Sequence, residues 1–142
     1  MSAARISFTI LGEPASKANS RKLVAFGNRP AIIKSDKARN YERNAELQIP
    51  PSARVMLTVP VRVTLRIFYA SQRPDLDESV VLDVLQARYK RNGEHRDLIR
   101  RGVYVNDRQV REKHVFHGID RVNPRTEIVV EPLEAVQQEL AA

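Results

Sequence analysis

Val61-Arg62-Val63-Thr64-Leu65-Arg66-Ile67-Phe68-Tyr69 decides how the chain folds. Val61, Val63, Leu65, Ile67 and Tyr69 fall on one side, while Arg62, Thr64 and Arg66 alternate with them. A period of two with β-branched residues is the signature of a half-buried strand, here running from Val59 to Tyr69. The sequence then turns acidic: Arg73-Pro74-Asp75-Leu76-Asp77-Glu78 places three carboxylates within four residues. From Asp77 to about Tyr89 the spacing becomes helical. Val81, Val84, Leu85 and Arg88 form the stripe, Val80 lies beside it, and Asp83 lies off it.

The acidic stretch has two physical readings. Close carboxylates raise each other's pKa unless a cation sits among them, and a hard divalent ion prefers oxygen ligands. Pro74 pushes Arg73 towards extended backbone, where residues two apart point the same way, so Asp75 and Asp77 would face one ion. Alternatively, Asp77 is a helix N-cap and Glu78 a first-turn acid. The local residues leave both open.

Outward from this centre, Arg5 to Leu11 alternates as a strand ended by Gly12-Glu13-Pro14. Residues 15–35 read as a long basic loop with Lys17, Arg21, Lys22, Arg29 and Lys34, suited to phosphate contact. Ser35 or Asp36 caps a helix to about Leu47, with Tyr41, Ala45 and Ala38 inward, and Pro50-Pro51 closes it. Residues 90–101 are a polar, basic segment with a turn at Asn92-Gly93. Val103 to Val105, Gln109 to Ile119 and Glu127 to Glu131 read as strands, and 133–142 as a weakly ordered tail with a helical turn or two. The expected fold is α+β: a single domain, 1–142, with a mixed sheet covered by helices mainly on one face.

The balance of 24 Lys and Arg against 17 Asp and Glu gives a formal charge of +7. Nucleic acid is the first partner to consider for so basic a domain. Ala15 to Asn40 holds seven basic residues and one acid, and Arg88 to Arg101 six against two. Cysteine is absent, which excludes disulfides and thiolate metal sites. No apolar run is long enough to span a membrane, and Met1 to Phe8 lacks a signal-peptide core; a cytoplasmic protein is expected. His114 and His117 form an H-x-x-H, but on a strand they face opposite ways, which disfavours zinc. A sugar-nucleotide transferase built on Asp75-Leu76-Asp77 fits poorly with so short a chain.

Arg73-Pro-Asp-Leu-Asp77, Leu82-Asp-Val-Leu85 and Gly102-Val-Tyr-Val-Asn-Asp-Arg-Gln-Val110, in that order, resemble motifs of the RusA-type Holliday junction resolvases, often carried by phages. Gly12-Glu-Pro-x-x-Lys17 is similar to that family's opening motif. The resemblance implies a RusA-like fold and a homodimeric endodeoxyribonuclease of DNA recombination and repair. Its substrate would be branched double-stranded DNA and its cofactor Mg²⁺, with Mn²⁺ as substitute. It implies catalytic and metal-binding roles for Asp75, Asp77 and Asp107, and Asp83 matches the aspartate in the family's helix; Asp83 and Glu78 are the further candidate ligands. Lys17, Arg21, Lys22 and Arg73 would contact DNA. The chain departs from the pattern at Glu78, where the family has Asn, and at Asn106, where it has Asp. The family's functional lysine falls at Val81, or at Ser79 in the other register, and Lys17, Arg73 and Lys113 are the basic groups available in its place. Residues 90–101 look like an insertion. A catalytically silent DNA-binding homologue is the alternative.

Overall fold

The computed structural model describes residues 5–17, 19–72 and 76–133. The chain builds a mixed four-stranded sheet in the order β1-β8-β4-β7, where β1 is Ile6–Leu11, β4 Val61–Tyr69, β7 Val110–Ile119 and β8 Arg125–Pro132. The alternating strand β4 sits inside it, antiparallel to β8 and parallel to β7. Val61, Val63, Leu65, Ile67 and Tyr69 are all buried, as the period of two requires. They pack with Ile6 and Ile10 of β1 and Ile128 and Val130 of β8 in one core, beneath two helices. The expected α+β domain, with its helices on one face of a mixed sheet, is what the chain forms.

Helix α1 is Asp36–Gln48. The Ser35 hydroxyl accepts the Ala38 amide at 3.2 Å, satisfying one of the free donors at the helix start. At the other end the Gln48 side chain brackets Leu11, accepting its N–H at 2.7 Å and donating to its carbonyl at 3.1 Å, which ties the helix to β1. Ser35→Ala should therefore lower stability by about 1 kcal/mol. The check is a lower urea midpoint at unchanged m-value.

Helix α2, Glu78–Leu85, is shorter than its apolar stripe suggests. Residues 85–87 leave it to pair with the 103–104 segment: Val103 N–H donates to Leu85 O at 2.8 Å and Ala87 N–H to Tyr104 O at 3.0 Å. That tertiary pairing overrides the helical spacing, and Arg88 begins a strand instead. The 103–105 segment itself forms isolated bridges from Tyr104 to Leu57 and Gln86, not a separate strand.

Two hairpins stand where the sequence reads as loop. Strands β2, Arg21–Phe26, and β3, Arg29–Lys34, replace the long basic loop, with Gly27 at φ 63° in the turn. Strands β5, Arg88–Asn92, and β6, His95–Arg100, form the second, turning at Gly93 with φ 64°. Both are mostly exposed, so neither carries the one-sided alternation that announces a half-buried strand. Leu133 opens the tail and is buried, its N–H donating to Pro60 O at 2.8 Å; the rest of the tail reading, 134–142, lies outside the described residues.

Candidate active site

Asp77 is the N-cap of α2. Its Oδ1 accepts the Ser79 amide at 3.1 Å and the Ser79 hydroxyl. Burial opposes its charge, but hydrogen bonds from Ser79 and Ser20, with nearby Arg21, more than offset that and hold the carboxyl below its ordinary range. The N-terminal segment positions these groups: Asp77 N–H donates to Ala15 O at 2.8 Å, and Ser16 bridges Leu76. Lys17 follows directly on that bridge, and Ser20 and Arg21 beyond it come to Asp77. Asp75 and Arg73 lie outside the described residues. Lys22 pairs with Asp36 at 3.1 Å across the surface.

Glu78 opens α2 and pairs with Lys113 of β7 at 2.8 Å. Lys113 is opposite Val63 in the β4–β7 register, so it points to the helix-covered face of the sheet. Val81, at the position of the resembled family's lysine, is fully buried in the core, while Ser79 is exposed. A basic group thus approaches the start of α2 from the sheet edge and not from the helix.

Asp107 meets Asp83, near the other end of α2. The connection returns past hairpin β5–β6, and Gly102 lets it lie flat against the end of the helix. A Cβ there would stand 2.3 Å from Ala87 N and 2.5 Å from Gln86 C. Gln86 then accepts the Asp107 amide at 3.1 Å, and the Asn106 side chain accepts the Arg108 amide at 2.9 Å. Asn106 also exchanges side-chain and backbone bonds with Gln109 in a capping box, so its loss of charge relative to the family's Asp fits a capping role. The two carboxyls are hydrogen-bonded. Burial, that bond and the Asp83 charge push Asp107 above the usual carboxylate range, against a smaller opposing pull from Arg108. Tyr104 lies beside them, its hydroxyl donating to Leu82 O at 2.6 Å. Its burial, together with the charges of Asp107 and Asp83, raises its pKa.

The donor set at this pair is all oxygen, and a cation between the two carboxyls would relieve the repulsion that raises the Asp107 pKa. Asp83 and Asp107 therefore fit a hard divalent ion. Among the described residues no three His, Asp or Glu gather as a metal-binding group. Asp77 and Asp83 lie six residues apart, roughly 9 Å along the helix axis.

The sequence missed the acidic anchors of α1. Glu42 is buried, and holds Lys34 at 2.5 Å and Arg88 at 3.3 Å. Lys34 also reaches Asp83 at 3.4 Å, linking this network to the aspartate pair. The signal was present: Ala38, Tyr41, Glu42 and Ala45 follow the i, i+3, i+4, i+7 pattern of a buried stripe. His114 pairs with Glu112 at 2.9 Å, while His117 bonds and stacks on Tyr69 from the opposite side of β7.

Compared with known proteins, the chain matches no family model and no curated protein. Among the described residues no helix is long and apolar enough to cross a membrane.

Proposed function

We propose that the protein is a divalent-metal-dependent endodeoxyribonuclease that binds four-way DNA junctions and hydrolyses phosphodiester bonds within them. The observation that carries this reading is the contact of Asp107 with Asp83, made by bringing a distant segment against the helix that follows the acidic stretch. The net charge of +7 supports a polyanionic substrate. The choice of a junction over other DNA rests on the motif resemblance to the RusA-type resolvases.

In this mechanism one Mg²⁺ would be held by Asp107 with Asp83, and a second by Asp75 and Asp77 of the acidic stretch at the other end of α2, with Glu78 nearby. When bound, such an ion activates water and stabilises the leaving oxygen. The chain's own residues do the remaining work. Ser79, Ser20 and Arg21 keep Asp77 ionised. Lys113 stands at the start of α2, where the resembled family has a lysine on the helix, and is the basic group proposed to face the scissile phosphate. Lys17 and Arg21 hold the DNA backbone beside it. Two copies related by a two-fold axis would match the symmetry of a junction and cut opposed strands. Such an enzyme would act on phage or host DNA in the cytoplasm.

A DNA-binding homologue without catalysis is favoured by one observation, that Asp77 is engaged as a helix cap. Incubating a labelled synthetic four-way junction with the protein and Mg²⁺ separates the two. Paired nicks near the branch point support the nuclease; tight binding with no cut overturns it. Lys17→Ala should weaken junction binding in EDTA and reduce the slope of log K against log salt by about 0.9. An unchanged slope removes Lys17 from the phosphate contacts.

A further inference from the structure

An open cleft of about 470 Å³ lies between α1 and hairpin β5–β6, distinct from the turn that carries Lys17 and Arg21. Five cations line it against two carboxylates, Glu42 and Glu46. The carboxylates are already matched. Glu42 holds Lys34 and Arg88, while Glu46 holds Arg88 at 2.6 Å and Arg100 as well. These pairs draw hairpin β5–β6 onto α1 and neutralise the floor of the cleft.

Arg39 and Arg43 are different. Both are exposed, and among the described residues neither guanidinium has a salt-bridge or hydrogen-bond partner. They lie one turn apart on α1, about 6 Å along its axis, and share a stripe with Glu42 and Glu46. Two unpaired guanidiniums at that spacing, over a floor whose negative charge is already met, suit two neighbouring phosphates of one strand. Lys34 and Arg88 also line the adjoining pocket that contains Asp83. The cleft therefore continues towards the aspartate pair.

We propose that this cleft is a phosphate track: Arg39 and Arg43 grip the backbone of one DNA arm and lead it, past Lys34, to Asp83 and Asp107. The inference deepens the nuclease reading and rests on it for the direction of the track, but not for the binding itself. It also departs from the sequence expectation for the basic segments. Arg88, Arg100, Lys34 and Lys22 are held by carboxylates, whereas Arg39, near the end of the first basic segment, and Arg43, just beyond it, have no carboxylate partner among the described residues.

The test is binding of a labelled four-way junction, and of a linear duplex with the same arm sequence, by the full chain in EDTA across a salt series. Arg39→Gln/Arg43→Gln should bind both probes about tenfold more weakly, with the salt slope reduced by about 1.8, since each lost phosphate contact releases about 0.9 of a counterion. Arg39→Lys/Arg43→Lys keeps both charges and should keep the slope. Arg5→Gln/Arg121→Gln removes the same charge outside the cleft and should leave the slope near that of the unmodified protein. An unchanged slope in the first variant, or an equal loss in the second or third, overturns the track. A protein that binds the junction through Arg39 and Arg43 but never cuts it in Mg²⁺ sinks the nuclease and leaves the track standing. One that cuts while the Gln variant binds with an unchanged slope sinks the track alone.

Discussion

Asp107→Asn should reduce Mg²⁺-dependent cleavage of a four-way junction by roughly 10²–10³-fold, the rate equivalent of several kcal/mol of lost metal-held stabilisation. Binding of the junction in EDTA should stay near that of the unmodified protein or tighten, because one negative charge leaves the site proposed to receive a phosphate. Stability should move the other way from activity. The folded-state pKa of Asp107 is raised, so the fold holds this proton more tightly than the unfolded chain does. The stability it contributes is fully present below the unfolded carboxylate value and lost as pH rises through the raised folded value. At neutral pH the ionised pair is a strain on the fold. An asparagine, whose amide donates to Asp83, should therefore raise Tm at pH 7 and lose that advantage in acid. Normal turnover in the variant would end the assignment of Asp107, and an unchanged Tm would show that its contact with Asp83 is weak in solution.

Gly102→Ala should be the most damaging small substitution in the chain. The added Cβ would meet three backbone atoms: Ala87 N at 2.3 Å, Gln86 C at 2.5 Å and Leu85 O at 2.7 Å. None of these can rotate away. The 102–104 segment must lift off the end of α2 and loosen the Val103–Leu85 and Ala87–Tyr104 hydrogen bonds. Overpacking of this kind costs about 3 kcal/mol, the upper end of its usual range, and should lower Tm by on the order of 10 °C. The same shift moves Asp107 away from Asp83, so cleavage should fall even at temperatures where the protein is folded. Gly118→Ala is the contrast. Its Cβ would stand 2.9 Å from the Phe68 ring, a side chain on the partly open face of the sheet, so it should cost much less. Equal melting of the two variants would show that the close approach at Gly102 is not held in solution.

The legible part of the fold is the part with a one-sided surface. Strand β4 alternates because one face is buried and the other is not, and strands β1 and β8 show the same pattern more briefly. The start of α1 was legible from Ser35 and its end from the paired prolines, since caps and prolines act within a few residues. The two hairpins were not. Leu23 and Ile32, directly opposed in β2 and β3, are both largely exposed, so hydrophobicity there does not mark an inside. The overshoot of α2 has a different cause: its stripe continues in sequence, but the 103–104 segment takes over the backbone bonds of residues 85–87.

The candidate site divides along the same line. By itself the sequence determined the net positive charge, the run of carboxylates after β4, and the choice of Asp77 as a residue able to cap a helix. Each is a property of composition or of neighbours a few positions apart. Only the tertiary structure decided that Asp107 meets Asp83, that Lys113 comes to Glu78 from the sheet edge, and that Glu42 and Glu46 engage Lys34, Arg88 and Arg100 while leaving Arg39 and Arg43 open. Periodicity says which way a side chain leaves its own backbone. Which charge it finds there depends on segments folded back from elsewhere in the chain, and that information is not local.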